Sequence, residues 1–355
     1  MSRIKPCPEC GIPQRITKHN TWLPNGTILE DNNPEHRVVF IENDALRDTY
    51  LGVEKMLGVP IDNIITESQR RSTYESVDNA LPGFLKPILR WTGTRPITRY
   101  LIDQAKLDGK GAVELVSFRR RKRKEDYIKL RIREPFSLPL FCGNFAGAME
   151  AVDGREISIT WEETAPHEYE LTAHISTHDV ELKERLKRRP ARYKPGDTKL
   201  HRCEVCGVPA IMSRYAWRLD RGIIENKTTG RRMIIISTAT QDAIMDELVK
   251  ELGETIAQAV VDAQRKLIAS GFFSREEIKE ADDLRLEFAY RGLGNLVEID
   301  FDHDHLFMRL ENPCLNEMVA GLAQGLYEQA SQRKSRLDWE IVENGDLVVN
   351  ARSRE

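Results

Sequence analysis

The chain has 355 residues, enough for two cores of ordinary size, and its 40% hydrophobic and 31% charged content is that of a soluble globular protein. A net charge of −3 gives no global pull toward nucleic acid or an anionic membrane. No apolar run approaches the length of a spanning helix, and Met1-Ser2-Arg3-Ile4-Lys5-Pro6 lacks the apolar segment of a signal peptide, so a cytoplasmic protein is expected.

In chain order, the first feature is the knuckle Cys7-Pro8-Glu9-Cys10, followed by Gly11 and Pro13. An extended stretch around Trp22, a turn at Gly26 and Ile28 lead to an apolar strand, Arg37-Val38-Val39-Phe40-Ile41. Asn43-Asp44 can cap a helix that runs to Leu57-Gly58, and a further helical segment carries Glu67-Ser68-Gln69-Arg70-Arg71. Residues 85–108 read as an insertion of short helices broken at Pro87 and Pro96. A strand over 109–118 then ends in the basic run Arg119-Arg120-Arg121-Lys122-Arg123-Lys124, expected to be a hairpin tip. A second strand with Arg131 and Pro135, a helix with Cys142, Gly143 and Gly147, and a strand with Trp161-Glu162 follow. His178 to Arg202 is polar and strongly charged, reading as a helical piece and a linker.

The order then recurs. Cys203-Glu204-Val205-Cys206 with Gly207 and Pro209 repeats the knuckle; Trp217, Gly222 and Ile224 repeat the extended stretch; Met233-Ile234-Ile235-Ile236-Ser237 lies opposite Arg37–Ile41. Gln264-Arg265 matches Gln69-Arg70, and Gly292-x-Gly294 matches Gly109-x-Gly111. Arg309 and Pro313, Gly321 and Gly325, and Trp339-Glu340 complete the register. So many special residues under one gapped alignment predict a tandem duplication, with repeats at 1–177 and 201–355 joined by a charged linker at 178–200.

The closing pattern of each half is strand, strand, Gly-containing helix, strand. It rests on Arg131-Ile132-Arg133-Glu134-Pro135, Cys142-Gly143 through Gly147, and Ile157 to Glu162, with Arg309 to Pro313, Gly321 through Gly325 and Trp339-Glu340 in the second half. This resembles the 4-vinyl-reductase or hydrocarbon-binding domain superfamily, related in fold to Golgi transport-particle subunits. The resemblance implies an α/β (α+β) protein of two duplicated domains, each a mostly antiparallel sheet covered by helices. It also implies members that bind small apolar molecules or accompany tetrapyrrole and aromatic metabolism. The family's own metal site is not expected here. Cys142 fits its helix cysteine, but Ala320 stands at the matching place, and the closing strands Trp161 to Ile175 and Trp339 to Arg352 contain no cysteine.

A Cys-x-x-Cys-Gly turn aims two thiolates at one centre and supplies half of a tetrahedral site. One zinc shared by Cys7, Cys10, Cys203 and Cys206 is therefore expected in a zinc-ribbon-like arrangement, clasping the two halves. The alternatives are two sites completed by histidine (His19, His36 or His201) or by a second chain, and a redox dithiol or iron site. Cys142 is expected as a small buried hydrophobe or a ligand-contacting residue; Trp161 and Trp339 are expected as core or as walls of an apolar chamber. The tip Arg119–Lys124 is a solvated loop or a contact for an acidic protein or nucleic acid, though it lacks interleaved aromatics for base stacking. Two glycines on one helix face either admit another backbone or leave space for a ligand beneath the helix. No phosphate loop, dinucleotide fingerprint, Ser elbow or His-Glu-x-x-His motif is present. The expectation is a zinc-stabilised tandem protein that binds a hydrophobic small molecule or an enzyme partner, and that can form homo-oligomers. The alternatives are an enzyme or accessory subunit acting on an apolar or tetrapyrrole-like substrate, and a zinc-containing regulator touching nucleic acid through Arg119–Lys124.

Overall fold

The computed structural model describes residues 4–31, 33–80, 83, 95–119, 125–179, 192–253, 255–269 and 281–354. The chain is α+β, as the sequence predicts, with antiparallel sheets covered by helices. It forms two compact units. One comprises Met1–Val59, Arg189–Ala216 and Ile235–Glu355; the other comprises Pro60–Arg188 and Trp217–Ile234. Each unit thus draws on both halves of the sequence.

In the first unit, α1 (Gln14–His19) leads into β1 (Asn20–Trp22), β2 (Ile28–Glu30) and β3 (Arg37–Glu42). These strands pair antiparallel, with Trp22 opposite Ile28 and Ile28 opposite Val38. β3 is buried along its length, and α2 (Asn43–Leu57) ends at Gly58, whose φ of 70° is the left-handed conformation that glycine supplies at a helix C-terminus. The second unit contains α3 (Asp62–Ala80), α4 (Arg95–Leu107), β4 (Ala112–Arg119), β5 (Tyr127–Arg133), α5 (Leu138–Asp153), β6 (Arg155–Ala165) and β7 (Glu168–Asp179). Its sheet order is β4-β5-β7-β6. Strand alternation turns Ile128, Leu130, Ile132, Leu171 and Ala173 inward, while Lys129, Arg131 and Glu170 form ion pairs on the other face.

A short 3₁₀ helix (Ala210–Arg214) precedes β8 (Tyr215–Arg218), β9 (Ile223–Asn226) and β10 (Arg232–Ser237); the unit boundaries fall within β8 and β10. The first unit continues with α6 (Thr238–Leu252), α7 (Thr255–Leu267), α8 (Ala281–Arg291), β11 (Asn295–Phe301), β12 (His305–Glu311), α9 (Asn316–Ser331), β13 (Ser335–Ile341) and β14 (Leu347–Ser353). Its four-stranded sheet has the order β11-β12-β14-β13.

The paired glycines are where two helices cross, which corrects the expectation of space beneath them. In the second unit α3 packs on α5, and a Cβ at Gly147 would lie 2.1 Å from the Arg70 carbonyl oxygen. In the first unit α7 packs on α9, and a Cβ at Gly321 would lie 2.4 Å from the Val261 carbonyl oxygen. The partner backbone fills the room that the missing side chains leave. Each crossing carries an ion pair, Arg70 with Glu150 and Arg265 with Glu328, and the same carboxylates accept the backbone N–H of Ile157 and Ser335, each at 2.8 Å.

The same three contacts also anchor a hairpin in each unit. Trp22 donates its indole N–H to the Tyr290 carbonyl at 2.9 Å, and Trp217 donates to the Leu107 carbonyl at 3.0 Å. Arg37 donates to the Gly292 carbonyl and Arg232 to that of Gly109, both at 2.7 Å. Gly26 lies against the backbone of Gly294, and Gly222 against that of Gly111, so closely that a Cβ would sit 2.1 or 2.0 Å from the carbonyl oxygen. Arg37 therefore corresponds to Arg232, one residue away from the alignment that set it opposite Met233. The ladders agree, because Ile28 pairs with Val38 and Ile224 with Met233. An apolar run offers no marker of register, whereas a guanidinium tied to a carbonyl does.

Candidate metal centre

Both knuckles lie in the first unit. In each, the first cysteine donates its backbone N–H across the turn: Cys7 to Ile12 at 2.8 Å, and Cys203 to Val208 at 2.9 Å. The glycine after each pair closes the turn by donating to the first cysteine's carbonyl, Gly11 to Cys7 and Gly207 to Cys203, at φ of 76° and 73°. A side chain at that φ would be strained, so glycine is required there. The prolines that follow are extended partners in isolated bridges, Pro6 with Pro13 and Arg202 with Pro209.

The four sulfurs all lie within 4.8 Å of one another. Cys7 Sγ is 3.8 Å from Cys203 Sγ, and Cys10 Sγ is 3.4 Å from Cys206 Sγ. All four are free thiols. Zinc–sulfur bonds of about 2.3 Å in a tetrahedron put neighbouring sulfurs about 3.8 Å apart, so the set could hold a metal ion such as zinc with little movement. Among the described residues no histidine belongs to the cluster, which counts against the reading in which each knuckle completes its own site with one.

The thiols differ in their electrostatic setting. Backbone N–H groups of Cys10 and Glu9 face the Cys7 sulfur and lower its thiol to about 7, while burial raises those of Cys10 and Cys206. Four thiolates at this spacing repel one another unless a positive ion lies between them. Glu9 is a feature that spacing alone did not single out. Its Oε2 accepts from the Cys203 thiol at 3.0 Å and from the Val205 N–H at 3.2 Å, tying one knuckle to the other. The variable position inside a Cys-x-x-Cys gives no signal of this in the sequence, because the contact spans 194 residues.

The other residues singled out from the sequence lie elsewhere. Cys142 is buried on α5, and burial pushes its thiol up to about 12. Trp161 is 54% exposed on the edge strand β6, edge-on to the Tyr169 ring at 5.8 Å. Trp339 is half-buried on the edge strand β13. Arg119 ends β4 and pairs with Glu125 at 3.0 Å; residues 120–124 of the basic tip lie outside the described residues. Gln69 and Arg70 bind within the helix crossing, Gln69 donating to Asn144 Oδ1 at 2.8 Å and Arg70 pairing with Glu150, as Arg265 pairs with Glu328. No described helix is long and apolar enough to cross a membrane.

No protein-family model matches the chain, and no curated protein matches it. Two solved structures are similar in part. The phenol-responsive sensory domain of the transcription activator PoxR, with phenol, is 13% identical at a TM-score of 0.31, over 45% of this chain and 87% of that one. An H-NOX mutant carrying 4-cyano-L-phenylalanine is 13% identical at a TM-score of 0.26, over 37% of this chain and 80% of that one.

Proposed function

We propose that the chain is a zinc-stapled, duplicated binding or scaffold protein without a catalytic centre of its own. The observation that carries this reading is the convergence of four thiols from two knuckles almost 200 residues apart. Such a donor set is closed: four sulfurs fill a tetrahedral zinc and leave no position for substrate or water. The metal would act by joining the Cys7 and Cys203 segments and so contribute folding free energy. In this reading the paired anchors Trp22 and Trp217, Arg37 and Arg232, and Gly26 and Gly222 are relics of one ancestral repeat, with repeats at 1–177 and 201–355 and the linker at 178–200. Each hairpin is then lodged against the sheet of the other repeat.

The two cysteines outside the knuckles support a binding role over a nucleophilic one. Cys142 and Cys314 are buried, with thiols pushed up to about 12 and about 11, so neither is a thiolate at neutral pH. The cargo taken from the hydrocarbon-binding resemblance is a small hydrophobic molecule, or an enzyme partner around which the protein assembles. A reducing cytoplasm would keep the four knuckle thiols available to the metal.

Native mass spectrometry combined with elemental analysis tests the reading. One zinc per chain, with an additional apolar adduct or a co-purifying enzyme, is the expected result. Two zinc ions per chain, or a cooperatively folded protein that never takes up zinc, would sink it.

A further inference from the structure

The first unit contains a cleft of about 440 Å³ where α7, α9 and β13 meet, within the range of small-ligand sites. Its walls carry four cations, Arg265, Lys334, Arg336 and Arg354, against one carboxylate, Asp262. Neutral hydrogen-bonding groups complete it, with Gln324 held by its amide to Ser335 Oγ at 3.1 Å, and Leu337 contributes the apolar part.

The cations are not equally committed. Arg265 is held by Glu328 at 3.1 Å, with its Nε 3.6 Å from Asp262 and without a hydrogen bond. Arg336 stands 3.7 Å from Asp338, with both side chains well exposed. Lys334 and Arg354 have no side-chain partner among the described residues. Unpaired like charges facing one cleft repel, and an anion placed among them relieves that cost.

The second unit provides an internal comparison. Glu150 binds Arg70 and the Ile157 N–H as Glu328 binds Arg265 and the Ser335 N–H, which fixes the correspondence of Ile157 with Ser335. The strand registers, Ile157 with Ile175 and Ser335 with Ser353, extend it to the last strands. Lys334, Arg336 and Arg354 then stand where the second unit has Glu156, Ser158 and Ser176, and Gln324 stands where it has Ala146. The Arg–Glu pair belongs to the scaffold, since both units have it. The three further cations and the amide belong to one unit alone, so the helix crossing does not need them.

We infer that this cleft binds a small phosphorylated anion, held by Lys334, Arg336 and Arg354. Two guanidinium groups and an ammonium suit the several oxygens and double charge of a phosphate better than a single carboxylate. The inference does not depend on the metal, whose ligands are other residues.

Calorimetric titration of the full chain with inorganic pyrophosphate tests it, at low and at physiological ionic strength, with zinc content measured on each sample. One saturable site per chain is expected, weaker at higher salt. The double variant Lys334→Glu, Arg336→Glu should weaken it at least about 150-fold, since each of the two lost hydrogen bonds to a charged group contributes about 1.5–3 kcal/mol. Arg218→Glu, an exposed change in the other unit, should leave it within about twofold. No saturable binding, equal weakening by Arg218→Glu, or tighter binding of malonate than of pyrophosphate would overturn the inference. A zinc-loaded sample that fails to bind pyrophosphate would remove the cleft proposal and leave the metal reading standing.

Discussion

The sulfurs of Cys7 and Cys203 lie 3.8 Å apart although 196 residues separate them in the sequence. Closing a loop of that length carries an entropic cost, and a four-thiolate metal site would add to the packing that offsets it. Cys203→Ser should therefore lower bound zinc from one to well below one per chain, and strong chelation of the unaltered protein should lower its thermal midpoint by several degrees. Elemental analysis and a thermal scan with and without chelator measure both. An unchanged midpoint after complete zinc removal would show that the metal does not hold the fold.

Glu9 sits against the thiol of Cys203 and also takes the Val205 N–H. Once the thiols are ionised around a metal, a carboxylate there adds a like charge. Glu9→Gln keeps an acceptor for Val205 and removes the charge, so zinc should be retained several-fold more tightly in competition with a chelator. Weaker retention would indicate that the Glu9 carboxylate itself binds the metal.

Gly147 is a test of the helix crossing. Alanine is the better helix former by about 1 kcal/mol, so an open site would be stabilised by the change. Here the added Cβ would meet the Arg70 carbonyl oxygen at 2.1 Å, a backbone atom that cannot move aside without shifting α3. Gly147→Ala should cost about 2–4 kcal/mol, the upper range for overpacking, as read from urea unfolding. A stabilised variant would mean that the two helices are not in contact in solution.

Arg291 and Glu42 form an ion pair at 2.5 Å with both side chains more than nine-tenths buried, and Glu287 also accepts from Arg291. Removing the cation alone leaves buried carboxylates uncompensated, so Arg291→Met should destabilise by about 3–5 kcal/mol. Adding Glu42→Gln should recover part of that loss. A double variant no more stable than Arg291→Met would show that Glu42 and Arg291 are not coupled.

Burial raises the thiols of Cys142 to about 12 and Cys314 to about 11 from an ordinary 9.0. Above pH 9 the unfolded chain loses these protons while the folded chain keeps them. Stability should therefore fall as pH rises from 9 through the folded values, by at most about 1.4 kcal/mol per pH unit for each thiol. Below pH 9 both states are protonated and the term vanishes. Alkylation of the two thiols in the native zinc-loaded protein at pH 8 should be slow and should follow unfolding. Rapid labelling of Cys142 there would rule out the buried environment.

The features legible in the sequence were those with local causes. The Cys-x-x-Cys-Gly turns, the helix ends and the alternating strands follow from backbone geometry and side-chain period within a few residues. The pairings of Trp22 with Trp217 and of Gly26 with Gly222 were visible because these side chains, or their absence, meet one particular backbone atom. The strand alignment slipped by one residue because Val38, Val39 and Phe40 are interchangeable with Met233 to Ile236 as apolar residues.

By itself the sequence determined the paired thiols of the knuckles and the periods of individual strands and helices, since these are properties of short segments, while the α+β class came as what the family resemblance implied. Only the tertiary structure decided that the four thiols share one centre, that Glu9 joins it, and that Gly143 and Gly147 admit a crossing helix. It alone also brought Arg265, Lys334 and Arg354 to one cleft. Each of these depends on which distant surfaces pack together, and that is set by the summed burial of many side chains, not by any residue's own neighbours. The shared centre first expected of the knuckles became a matter of distances between sulfurs.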